Sequence, residues 1–95
     1  MFNNTDIVHL RQLPYSILQI NHHDVTLHSE RTGHDWIIVS QYGTSECYIL
    51  HRHSRRDSYH RQKGNYRSLN DALDYISGHE EWFEAYKMKT GMNEQ

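Results

Sequence analysis

The sequence predicts an α+β domain: a four-stranded antiparallel meander sheet packed by a C-terminal helix, with short flanking terminal helices. Three observations carry that prediction. Between residues 15 and 53, short β-prone runs are separated by Asn, Asp and Gly clusters at the spacing of hairpin turns. Leu69, Ala72, Leu73 and Ile76 recur at i, i+3, i+4 and i+7, the stripe of a helix that packs on something. A chain of 95 residues has room for one core, because a domain of this size buries only about 60–70% of the surface its unfolded chain exposes. We therefore read residues 1–95 as a single domain, with 1–14 an N-terminal helix or strand, 15–53 the sheet, 54–67 a basic loop and 68–90 the C-terminal helices.

In the first element, Thr5 or Asp6 offers a cap and Ile7, Leu10 and Leu13 share a helical face, while the adjacent β-branched Ile7 and Val8 leave a strand open. Pro14 ends it, since proline disfavours helical geometry in the residue before it. Ser16–Ile20 and Val25–Ser29 then read as a hairpin joined by Asn21-His22-His23-Asp24, with Val25, Leu27 and Ser29 on one face. Arg31-Thr32-Gly33-His34 turns the chain into Asp35–Ser40, which is apolar on both faces and so reads as the central strand. After a turn at residues 42–45, Cys47–His53 places Cys47, Ile49, His51 and His53 on one face and Tyr48, Leu50 and Arg52 on the other.

The C-terminal segment opens with Ser68 and Asp71 in the spacing of a capping box, and Gly78 offers a stop to the first helix. A second helix follows over His79–Met88, acidic at its start with Glu80 and Glu81 and basic at its end with Lys87 and Lys89, the order the helix dipole favours. Trp82, Phe83 and Tyr86 give it an aromatic face. Trp36 belongs in the core, with Trp82 or Phe83 joining it. Any of these aromatics left outside is a candidate for a homodimer or partner contact.

Composition narrows the function classes. Hydrophobic content of 36% is low, but seven Tyr, two Trp and two Phe supply enough large side chains to fold. A thin core of this kind favours a second subunit, hence an expected homodimer. One cysteine, Cys47, cannot form an internal disulfide, and its place in a strand makes it a small buried hydrophobe rather than a nucleophile. The longest purely apolar run, Trp36–Val39, is far short of a membrane span, and the chain opens with no charged-then-apolar signal, so the expected location is the cytoplasm.

The strongest local bias is charge. Residues 51–67, HRHSRRDSYHRQKGNYR, carry six of the ten Lys and Arg against a single acid, Asp57, with three histidines and two tyrosines between them. Residues 1–50 have two cations against five carboxylates and residues 68–95 two against six, so a net charge of −2 conceals a cationic band between acidic flanks. Arg52, Arg55, Arg56, Arg61, Lys63 and Arg67 could neutralise phosphates while Tyr59 and Tyr66 stack on bases and His60 adds charge in acid. The expected function is a small non-catalytic binding module that engages a nucleic acid or an acidic protein surface through this band, with no cofactor. The alternative is an inhibitor of the phage or mobile-element type that blocks a nucleic-acid-binding host enzyme, an analogy of size and composition. A small metal-independent ribonuclease built on His51, Arg52, His53, Tyr59 and His60 is a weaker reading, because residue types without a fixed pair do not specify a reaction.

Nine histidines invite a metal site, with His51, His53, His60, His79 and the His22-His23-Asp24 turn as the possible ligands. The chain has no CxxC and no HExxH, and abundance alone produces HxH and HH matches. The spacing assigns no ligand set. Imidazoles with an ordinary pKa near 6.5 would also bring the net charge through zero near neutrality.

Overall fold

The computed structural model describes residues 2–41, 43–62 and 64–93, the last seven of these as backbone. Lys63 of the basic band and the side chains of Lys87 and Lys89 therefore lie outside the described residues. The chain is one small α+β domain: α1 (Asn4–Arg11), β1 (Ser16–Ile20), β2 (Asp24–His28), β3 (Asp35–Ser40), β4 (Cys47–Arg52), β5 (His60–Arg61) and α2 (Leu69–Asn93). The strands pair antiparallel in chain order, β1-β2-β3-β4-β5. The sheet has five strands, not the four expected. Part of the segment read as a basic loop lies against β4, with Leu50 opposite Arg61, His51 opposite His60 and an isolated bridge from Cys47 to Tyr66. Its anchors are side chains: the Tyr66 ring packs 5.3 Å from that of Tyr75, whose hydroxyl donates to Gln62 Oε1 at 2.9 Å.

α1 is a helix and not a strand because Asn3 caps it. The Asn3 side chain accepts from the Asp6 backbone N–H at 2.8 Å while Asp6 Oδ2 accepts from the Asn3 N–H at 3.0 Å, a reciprocal box whose cap lies two or three residues before the expected Thr5 or Asp6. Phe2, just ahead, is buried and pinned to the β1–β2 turn by its N–H donating to the His22 carbonyl at 2.8 Å. That turn is organised by Asn21, whose side-chain oxygen accepts from the N–H groups of His23 and Asp24.

Alternation sorts the strands into two faces. Val25, Leu27, Trp36, Ile38, Cys47 and Ile49 point to one side and form the core with Leu10 of α1 and Leu69, Ala72, Leu73 and Ile76 of α2. On the other side Thr26, Ile37, Val39, Tyr48 and Leu50 remain half-buried, so the sheet carries both helices on one face and keeps the other open. Trp36 is in the core as expected; Phe83 is half-buried, and Trp82 and Tyr86 stay 62% and 57% exposed.

α2 runs 25 residues without the break expected at Gly78. Gly78 has ordinary negative φ and sits on the outer surface of the helix, while Ile76 and Glu80 on either side are fully buried and hold both halves to the sheet. Packing overrides the local weakness. Since a Cβ at Gly78 would meet nothing within 4 Å, Gly78→Ala is expected to raise stability by about 0.5–1 kcal/mol in urea titration. A loss of stability would mean the helix turns at Gly78. Among the described residues, no helix is long and apolar enough to cross a membrane.

Candidate functional site

The basic band follows the β4–β5 edge. β4 brings Tyr48, Leu50 and Arg52 to the open face, and Arg61 lands beside them because it pairs with Leu50. Two arginine–tyrosine stacks result: the Arg61 guanidinium lies 4.3 Å from the Tyr48 ring centre and that of Arg52 lies 4.4 Å from Tyr59. Arg61 also donates to Asn65 Oδ1 at 2.9 Å. Arg55 and Arg56 stand exposed in the turn after β4. Among the described residues Arg55, Arg56, Arg61 and Arg67 form no ion pair.

Arg52 differs from these. Its Nε donates to Asp35 Oδ2 at 2.7 Å, and the Nδ1–H of His28 donates to Asp35 Oδ1 at 2.7 Å. Burial alone would raise the Asp35 carboxyl, but the hydrogen bonds from His28 and Arg52 outweigh it and hold the group below its ordinary value. Arg52 is thus part of a buried charge network and not a free surface cation. Tyr66 is likewise engaged, half-buried against Tyr75, where burial pushes its hydroxyl up. Arg67 follows Tyr66, which pairs with Cys47 at the far end of β4, about 17 Å along the strand from Arg52. The expected site residues therefore divide: Arg52, Arg55, Arg56 and Tyr59 gather at one end of the edge, Arg61 beside them on the open face, and Tyr66 and Arg67 at the other end.

His51 and His60 pair directly and so share the helix-covered face, opposite Arg52 and Arg61. The neighbours His51 and Arg52, both among the residues of the ribonuclease reading, thus point to opposite faces of the sheet.

Beneath α2 lies an arrangement that the sequence reading did not assemble. His34 and His51 are buried, His79 is half-buried, and one ring nitrogen from each lies within 4.8 Å of the others. His34 Nδ1 and His51 Nε2 face each other at 2.9 Å in a direct hydrogen bond. Trp36 stacks on His51 with ring centres 3.8 Å apart and meets His79 edge-on at 5.1 Å. His53 lies across the outside, its ring centre 4.5 Å from that of His34, and Phe83 closes the other side at 4.3 Å. Burial pulls His51 down to about 3, reinforced by repulsion from His34, His79 and the other nearby imidazoles. Burial also lowers His34 and His79, with the Glu80 carboxylate opposing the shift in both. Burial thus favours the neutral form of all three rings, and His51, held down to about 3, adds no charge to the basic band near neutral pH.

The loop between β2 and β3 builds the wall of this cluster. Gly33, at φ +77, lets the chain reverse so that its N–H donates to the Ser29 carbonyl at 2.8 Å. Thr32 then serves two elements: its hydroxyl donates to Glu80 Oε2 at 2.7 Å and accepts from the His34 N–H at 3.2 Å. Glu80 is fully buried. Among the described residues four buried side-chain nitrogen or oxygen atoms lack a partner, namely His34 Nε2, Trp36 Nε1, His79 Nδ1 and Glu80 Oε1, and all belong to this one cluster.

A sequence signal for it existed. Extending the α2 stripe past Ile76 by three, four and seven residues gives His79, Glu80 and Phe83, and extending the buried face of β3 backward from Trp36 by two gives His34. Polar residues in core-facing register mark the site, although local turn chemistry at Arg31–His34 and the helix-weakening Gly78 point the other way. The His22-His23-Asp24 turn takes no part. Cys47, a buried thiol with its pKa pushed up to about 11 chiefly by burial, is the inert hydrophobe expected. Compared with known proteins, the chain matches no protein-family model, no curated sequence and no solved structure.

Proposed function

We propose that this protein is a non-catalytic binding module that engages single-stranded nucleic acid along the β4–β5 edge and the adjoining open face of the sheet. The observation that carries this reading is the grouping of Arg55, Arg56 and Arg61, none in an ion pair among the described residues, beside the Arg-stacked rings of Tyr48 and Tyr59. Cations set among aromatic faces on an open antiparallel surface supply phosphate neutralisation and base stacking together, which is the combination that unpaired strands require. Ile37, Val39 and Leu50, half-buried on the same face, add apolar area under the bases.

Fluorescence anisotropy with a labelled single-stranded oligonucleotide tests the reading at pH 7.5. Engaging about three phosphates implies a log–log salt slope of about −2 for a single strand. The triple change Arg55→Ala, Arg56→Ala and Arg61→Ala is expected to bring that slope towards zero and weaken binding at least tenfold (about 1.4 kcal/mol), with the fold intact because all three side chains lie outside the core. Arg52 is left in place, since its loss would strand Asp35. No binding at low salt, or an unchanged slope in the triple variant, would refute the reading.

A second reading has its own observation. Asp71, Asp74 and Glu81 are exposed at i, i+3 and i+10 on the outer face of α2, giving the protein a surface complementary to its own cationic edge. Salt-sensitive self-association in sedimentation, competed by oligonucleotide, would show that the same cations serve a second copy.

A further inference from the structure

The cluster beneath α2 has the composition of a cation site. Three imidazoles come from three separate elements, His34 from the entry to β3, His51 from β4 and His79 from α2, so the fold, and no local turn, brings them together. We infer that His34, His51 and His79 form a binding site for a divalent first-row transition metal of borderline softness, zinc above all, with the Glu80 carboxylate as the buried counter-charge.

Geometry supports three nitrogen ligands. Zinc bound tetrahedrally to imidazole at about 2.0–2.1 Å separates its ligand nitrogens by about 3.3 Å. His34 Nδ1 and His51 Nε2 stand 2.9 Å apart, and one ring nitrogen from each of the three histidines lies within 4.8 Å of the others, so side-chain torsions are enough to bring three nitrogens towards a common centre. Only one proton can occupy the line between the two facing nitrogens. A metal there replaces one weak neutral contact with two bonds.

The orphaned atoms point the same way. Native interiors pair nearly all their buried polar atoms, and here, among the described residues, the four without partners belong to this one cluster rather than scatter through the core. Glu80 is the sharpest case: a fully buried side chain whose Oε2 accepts from Thr32 and whose Oε1 has nothing to accept from. A buried carboxylate is costly without a compensating charge, and among the described residues no Lys or Arg pairs with it. The field of Glu80 reaches both His34 and His79. A divalent ion on the imidazoles would balance the carboxylate and polarise the ring N–H groups around it, the role carboxylates play behind metal-bound histidine. Three hard oxygens are not available, so calcium and magnesium do not fit, and with no thiolate in the cluster the soft cuprous ion fits poorly. Three protein nitrogens also leave the fourth tetrahedral position to an exchangeable ligand such as water.

The test titrates metal-stripped full-length protein with Zn2+ by calorimetry and with Co2+ by visible absorption, at pH 7.5. One equivalent is expected to bind, with the intense d–d bands of tetrahedral cobalt. His79→Gln, at a half-buried helix position where folding is retained, is expected to weaken zinc by more than about 100-fold and abolish those bands, while Glu80→Gln keeps the shape of the Zn-ligand set and weakens it about 10–100-fold. His22→Gln with His23→Gln, at the opposite end of the sheet, is expected to change neither. Circular dichroism of each variant verifies the fold. Absence of stoichiometric binding, octahedral cobalt, or binding that survives His79→Gln and disappears with His22 and His23 would overturn the inference and leave a neutral hydrogen-bonded histidine core.

Discussion

Acidifying metal-free protein from pH 8 to pH 5 is expected to remove about 2 kcal/mol of folding stability through His51 alone. The sign follows from which state holds the proton. Folded His51 is held neutral down to about 3, whereas the unfolded side chain protonates near 6.5, so the unfolded chain binds more protons throughout that window. Stability is complete above pH 6.5 and is lost progressively as the pH falls towards 3. His34 and His79 are displaced in the same direction by burial and steepen the same limb. Urea titrations at half-unit steps with EDTA present would measure it. His51→Phe keeps a ring against Trp36 and removes the titration, so its stability should fall less steeply below pH 6.5 than that of the parent. A parent profile that is flat between pH 6.5 and 5 would show that His51 accepts a proton without disturbing the fold.

The second large effect belongs to the helix–sheet interface. Leu73→Ala is expected to cost about 2–4 kcal/mol, since Leu73 is buried in the core on the face of α2 that meets β3 and β4, and its truncation leaves a cavity that a sheet cannot collapse to fill. Asp74→Ala, one position on and exposed, is expected to change stability by less than about 0.5 kcal/mol. Equal denaturation midpoints for the two variants would place α2 in a different rotation about its axis.

How much of this was legible in the chain depended on periodicity. Ser16–Ile20 and Asp35–Ser40 stand where the alternation and the apolar run put them, and the Leu69–Ile76 stripe marks the packed face of α2. Each of these signals repeats over five residues or more. β5 is two residues long and carries no period of its own; it exists because Tyr66 and Gln62 are gripped by Tyr75, a contact between segments that no local pattern announces. Gly78 misled because its weakness is local and the packing that overrides it is not. Arg52 was legible as a cation at the end of a strand, but not its commitment to Asp35, since the partner is 17 residues away and on another strand. The histidine cluster escaped for the opposite reason: its residues hold core-facing register, and polar side chains in that register are discounted until the strands and helix are seen to carry them inward.

The Thr32–Glu80 hydrogen bond joins positions 48 residues apart, while every strand of the sheet pairs with its immediate predecessor. Such a meander closes through short loops and has little chain entropy to surmount, so strand pairing can run ahead of everything else during folding. α2 arrives only after the whole sheet has been synthesised. Until it docks, His34 and His51 face water from an uncovered sheet, and the ring of Trp36 that stacks on His51 is solvated. Burial of Trp36 therefore reports the last step, and its fluorescence in a stopped-flow refolding experiment would follow the closing of the helix over the cluster separately from the far-ultraviolet signal of the hairpins.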